Sequence, residues 1–168
     1  GIGAYTSTMI LTQWGVSPWV GMVAGMILAA LIALPIGYGC FRFHGYYLAI
    51  ATSALGLAAQ QIAMNWTWVG GAVGIFFPLK EESFWNFQFH SSKLPYYYIA
   101  FVLLLVVYGI ASLISRSKMG YYLRAISTDE DAARSLGVDV LKYKELALCI
   151  SAALTAMMGT FYAQYVLF

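Results

Sequence analysis

The sequence predicts an all-α fold, a polytopic transmembrane bundle, and three observations predict it. Of 168 residues, 61% are hydrophobic and only 10% are charged; a water-facing domain carries roughly 25% charged residues. The scarcity is concentrated in long runs. Arg42 is the only charge between Gly1 and Leu79, and neither Tyr96–Ile114 nor Leu146–Phe168 holds any. Moving a charge to mid-membrane costs about 2.5–3.5 kcal/mol on insertion scales, so spans avoid them. The runs are also continuous, whereas a membrane barrel needs short alternating segments.

A hydrocarbon core about 30 Å thick takes about 20 helical residues, and five segments approach or meet that requirement. They are 1–11, 19–39, 46–66, 96–115 and 145–168, the first and last cut by the ends of the chain. The chain begins and stops inside apolar sequence, which predicts a piece of a larger membrane protein, here a single domain over 1–168. The loops then alternate sides. Arg42 in 40–45 and Arg116, Lys118, Arg124, Arg134, Lys142 and Lys144 in 116–144 account for seven of the nine basic residues. The positive-inside bias puts both loops in the cytoplasm. Trp14, Trp19, Trp66, Trp68, Trp85 and Tyr96–Tyr98 then gather at the opposite face as an aromatic belt.

Within the second segment, Gly21, Gly25, Ala29, Ala33 and Gly37 recur every fourth residue. That spacing puts all five on one helix face, where another backbone can approach closely. Ala152, Ala156, Gly159 and Ala163 make a similar strip in the last segment. Both strips predict helices packed into a bundle. Pro35 is a candidate kink.

The stretch 117–138, SKMGYYLRAISTDEDAARSLGV, is polar and lies between two spans. Ser127 or Thr128 offers an N-cap, and Ser127 with Glu130 has capping-box spacing. Asp129, Glu130 and Asp131 fall in the first turn, where the helix dipole favours negative charge. Gly137 is a natural stop. Ala132, Ala133 and Leu136 are expected to form one apolar patch, with Arg134 on another face. A helix of about ten residues is too short to stand alone in water. It must dock on its own bundle or on a partner.

Several classes are excluded. The AARSLGV string suits a helix-turn-helix, but the following helix is apolar for more than twenty residues and would lie in lipid, so no nucleic-acid partner is expected. No GxxxxGK[ST] phosphate loop is present. The spans lack the buried ionisable groups that proton- or sodium-driven carriers use. They also lack paired carboxylates, metal-spaced histidines or an activated nucleophile, so no enzyme, metal or cofactor is expected. Cys40 and Cys149 read as small packing residues.

Four stretches carry a family resemblance: GIGAYTS at 1–7, GYYLAIAT at 45–52, NWTWVGGAVGI at 65–75, and SKMGYYLRAISTDEDAARSLGVDVLKYKELALCISAAL at 117–154. Together they resemble the LivM-type permease of branched-chain amino-acid ABC importers. The resemblance implies two ATPase subunits, a second related permease and an extracytoplasmic solute-binding protein as partners, in the inner membrane. It also implies a coupling helix over 128–137, comprising Thr128, Asp129, Glu130, Asp131, Ala132, Ala133, Arg134, Leu136 and Gly137, flanked by Arg124 and Ala125. The family commonly carries a Gly-Gly-Pro-Asn/Asp-Gly-Ile string where this chain has Gly70-Gly71-Ala72-Val73-Gly74-Ile75. That departure leaves other amino acids, short amides or urea open as solutes, and a passive channel or membrane scaffold is the reading from another class.

Polar residues within spans are the candidates for a solute route: Thr52, Gln60 and Gln61 in the third, and Thr155 in the last. Ser53, Ser151, Tyr162 and Gln164 share that character. Their other use is interhelical hydrogen bonding. Thr67, Gly70, Gly71 and Gly74 form either a broken segment lining a cavity or an ordinary external turn.

Overall fold

Small residues decide how this chain packs. In the computed structural model, which describes residues 1–14, 17–41, 46–66 and 94–166, seven helices follow one another. They are α1 (Ile2–Trp14), α2 (Pro18–Cys40), α3 (Tyr46–Asn65), α4 (Leu94–Arg116), α5 (Lys118–Thr128), α6 (Glu130–Ser135) and α7 (Val140–Val166). Thr67, Gly70, Gly71 and Gly74 lie outside the described residues, as do Arg42, Trp68, Trp85, Lys80 and Lys93.

Four of the helices, α2, α3, α4 and α7, are long and apolar enough to cross a membrane. The fifth expected span, α1, has 13 residues, or about 20 Å at 1.5 Å per residue. It lies against α2 and α7 as the third member of the central packing unit. Pro18 opens α2 at a first-turn position where its missing N–H costs nothing. The helix then runs through Pro35 to Cys40, and the Phe41 N–H donates to the Gly37 carbonyl at 2.9 Å.

The predicted stripe is the seam: Gly21, Gly25, Ala29, Ala33 and Gly37 are all buried. A Cβ on Gly21 would sit 2.8 Å from the Ser7 Cα, and one on Gly25 would sit 3.0 Å from the Gly3 Cα. On the other side of α1, a Cβ on Gly3 would meet the Ala156 carbonyl carbon at 2.7 Å. The Thr160 hydroxyl donates to the Gly3 carbonyl at 3.1 Å, tying α7 to α1. In low-dielectric surroundings such close backbone approach and interhelical hydrogen bonding supply what the hydrophobic effect supplies in water.

Next to this seam, Met22, Leu103 and Met157 join α2, α4 and α7. Tyr96 turns inward and meets Phe161 and Tyr165 edge-on at centroid distances of 6.4 and 5.9 Å. The neighbouring Tyr97 and Tyr98 face out. Towards its other end α4 lines a groove together with α5 and α7. By contrast, α3 buries no residue. It stands across a cleft of about 1040 Å³ from α1 and α2.

Candidate functional site at the α5, α6 and α7 corner

The polar stretch 116–144 folds as two helices, α5 and α6, and the first turn of α7, where one helix and a loop were expected. Gly120 permits the first corner: a Cβ there would lie 2.5 Å from the Ser115 carbonyl oxygen. Helix α5 then runs to Thr128. The Ser127 and Thr128 hydroxyls donate back to the Arg124 carbonyl at 2.8 and 3.1 Å, so neither caps the next helix. Asp129 does. Its backbone is extended (φ −154°, ψ 112°), and its Oδ1 accepts from the Asp131 and Ala132 N–H groups at 2.9 and 3.0 Å. The capping assignment to Ser127 or Thr128 is therefore corrected by one or two positions, and the helix begins at Glu130 instead of Thr128.

At its far end the expectation for Gly137 holds. Gly137 has φ 81°, its N–H donates to the Arg134 carbonyl at 2.9 Å, and the Val138 N–H donates to the Ala133 carbonyl at 3.1 Å. This pair of bonds is a Schellman stop, and glycine takes its left-handed position without a Cβ penalty. Asp139 then caps α7 by accepting from the Lys142 N–H at 3.2 Å. As a result α7 begins at Val140, five residues before the predicted span.

Two sets of contacts fix α6 to its neighbours. Ile126 of α5, Ala133 of α6 and Val140 of α7 form one buried cluster, with Val138 and Tyr143 packed on it. Glu130 pairs with Arg134 one turn on, at 2.9 Å, and with Lys144 on α7. Tyr122 of α5 and Tyr143 of α7 add a ring contact at 4.8 Å. A helix of six residues has no stability of its own; here both ends and one face are held.

The apolar patch expected from Ala132, Ala133 and Leu136 divides. Ala133 is buried in the cluster, Ala132 is exposed, and Leu136 is 84% exposed. The open face of α6 and its C-cap thus presents Asp131, Ala132 and Leu136, with Thr128 and Ala125 also exposed. Arg124 turns elsewhere: its Nη2 donates to the Ser115 Oγ of α4 at 2.8 Å.

The candidate route residues are not brought together. Gln60 lines the cleft between α1, α2 and α3, whereas Thr155 lines a groove between α4, α5 and α7. Thr52 and Gln61 are exposed on α3, and the Thr52 hydroxyl donates to carbonyls of its own helix. The Thr155 hydroxyl does likewise, to Ser151 at 2.8 Å. Among the described residues the buried polar positions are instead Ser7, Thr8, Thr160 and Gln164. Of these only Gln164 was singled out from the sequence. It is 1% exposed, and among the described residues neither amide atom has a hydrogen-bond partner.

The whole chain, residues 1–168, matches the family described as the permease component of the branched-chain amino acid transport system. It is 28% identical over 184 residues to the high-affinity branched-chain amino acid transport system permease protein LivM of Escherichia coli (strain K12). It is 27% identical to the protein of the same description from Salmonella typhimurium. In each case the match covers 96% of this chain and 43% of the relative, so the chain spans less than half the length of the curated relatives it matches. No solved structure matches the chain significantly.

Proposed function

Because the chain belongs to the family of branched-chain amino acid transport permease components, we propose that it forms part of the translocation path of an ABC importer for branched-chain amino acids in the inner membrane. In this reading two separate ATPase subunits bind α6 from the cytoplasm, a second related permease completes the path, and an extracytoplasmic binding protein delivers the solute. One observation carries the coupling role: Leu136, at the C-cap of α6, is 84% exposed while Ala133, one turn before it, is buried against α5 and α7. An isolated exposed leucine is ordinary. One at the end of a short helix that is held at both ends and along one face is placed to be gripped.

The energetics suit such a lever. Shifting a two-state gate from 1:99 to 99:1 takes about 5.5 kcal/mol of differential binding. A partner that holds α6 more tightly in one state supplies it through α7, which is packed on α1 and α2. The contrast between exposed Leu136 and buried Ala133 makes the test specific. Leu136→Asp leaves insertion and the melting profile of the purified transporter intact. It weakens ATPase co-purification by about tenfold or more, as loss of a central apolar anchor does, and uptake of leucine falls with it. Retained co-purification and uptake in that variant remove the coupling role.

A further inference from the structure

The groove between α4, α5 and α7 has a composition that the transport reading does not use. It encloses about 600 Å³. Its walls run from Val107 to Ser115 on α4 and from Ala147 to Met158 on α7, roughly 12 and 16 Å of helix. Apolar side chains such as Ala111, Leu123, Leu154 and Met158 dominate the lining, and Arg124 is its only charged residue among the described ones. The Arg124 guanidinium is held at the rim by a neutral partner, Ser115 Oγ. Arg116 and Lys118 stand exposed at the same α4–α5 corner. Of the acidic groups of the adjoining segment, Asp129 and Asp139 cap helices and Glu130 pairs with Arg134 and Lys144, and neither Asp131 nor Glu145 lines the groove.

We propose that this groove is a binding site for an anionic phospholipid, with the phosphate on Arg124 and one acyl chain lying between α4 and α7. A long apolar slot ending in a cation at a helix corner matches an amphiphile with a negative head. An amino acid fits less well, because its ammonium would find only the Ser115, Ser151 and Thr155 hydroxyls and no carboxylate among the lining residues. The site does not depend on the coupling role of α6.

The test uses the complete transporter purified in detergent. Palmitoyl-oleoyl phosphatidylglycerol or palmitoyl-oleoyl phosphatidylcholine is added, and retained lipid is counted by native mass spectrometry. The unaltered protein retains phosphatidylglycerol in preference to phosphatidylcholine, and 1 M salt removes the preference. Arg124→Gln lowers phosphatidylglycerol retention about fivefold, the scale of one basic residue at an anionic surface, and leaves phosphatidylcholine unchanged. Arg124→Lys keeps most of the preference, and Ala111→Phe, which fills the slot, lowers retention of both lipids. Equal retention of the two lipids by the unaltered protein overturns the proposal. So does an Arg124→Gln variant that holds phosphatidylglycerol as before, displacement of the lipid by millimolar leucine, or retention of neither lipid because a helix of the complete assembly fills the groove.

Discussion

Asp129 and Gly137 bound α6, and each acts through one backbone feature. Asp129 accepts two N–H groups that would otherwise lack partners at a helix start. Asp129→Ala is expected to cost about 1 kcal/mol, seen as faster amide exchange confined to residues 130–135. Gly137 holds φ 81° with open space where a Cβ would stand, so Gly137→Ala meets backbone strain and no clash. The expected penalty is again about 1 kcal/mol, and Gly137→Asn is expected to recover part of it. Ala133→Asp is a different case. It places an unpaired carboxylate among Ile126 and Val140, costs several kcal/mol, and unfolds the corner. Loss of uptake in that variant reports folding, which is why exposed Leu136 is the informative position.

At the scale of elements, two kinds of joint hold the helices. The α1–α2–α7 joint is made of absent side chains. Gly25→Leu forces a branched side chain into the Gly3 backbone, and Gly3→Val does the same at Ala156. Overpacking of this kind costs about 1–3 kcal/mol or more, and both variants are expected to lower the melting temperature and the yield of assembled transporter. Normal assembly of both would reduce the stripe to coincidence. The α6–α7 joint is made partly of charge. Glu130 and Lys144 are each about one-quarter exposed, so solvent screens their attraction. A double-mutant cycle with Glu130→Gln and Lys144→Gln is expected to give a coupling of about 0.5–1 kcal/mol, fading at high salt. That is enough to orient α6 but not to hold it without the Ile126–Ala133–Val140 cluster.

For the molecule as a whole, the prediction concerns direction and dependence. A cysteine placed at exposed Ser135 is expected to react with an impermeant thiol reagent only from the cytoplasmic side in oriented vesicles, against a background with Cys40 and Cys149 replaced. Leucine uptake by the reconstituted transporter is expected to require a hydrolysable nucleotide on that same side. Labelling from the outside contradicts the positive-inside assignment, and conduction without nucleotide returns the reading to a passive channel. The separation of Gln60 from Thr155 into different cavities also bears on this scale. No single route passes both in the arrangement described, and among the described residues Gln164 is a buried amide without a hydrogen-bond partner, which a rearranged state can supply.

What was legible in the sequence follows from where the deciding force acts. The bundle class, the four long spans and the α2 seam come from composition and a spacing of four, because charge cost and helical periodicity are properties of a single segment. Gly137 was legible for the same reason, since only a residue without a Cβ takes that φ freely. The cap was not. Ser127, Thr128 and Asp129 are adjacent and all competent, and the choice among them depends on where α5 leaves helical geometry, which the burial of Ile126 against Ala133 and Val140 fixes. The early start of α7, the division of Ala133 from Leu136, the turn of Arg124 towards Ser115 and the isolation of Gln164 were likewise undetermined by the chain alone. Each depends on which surface of another helix lies opposite, and a linear pattern specifies the faces of a helix but not its neighbours.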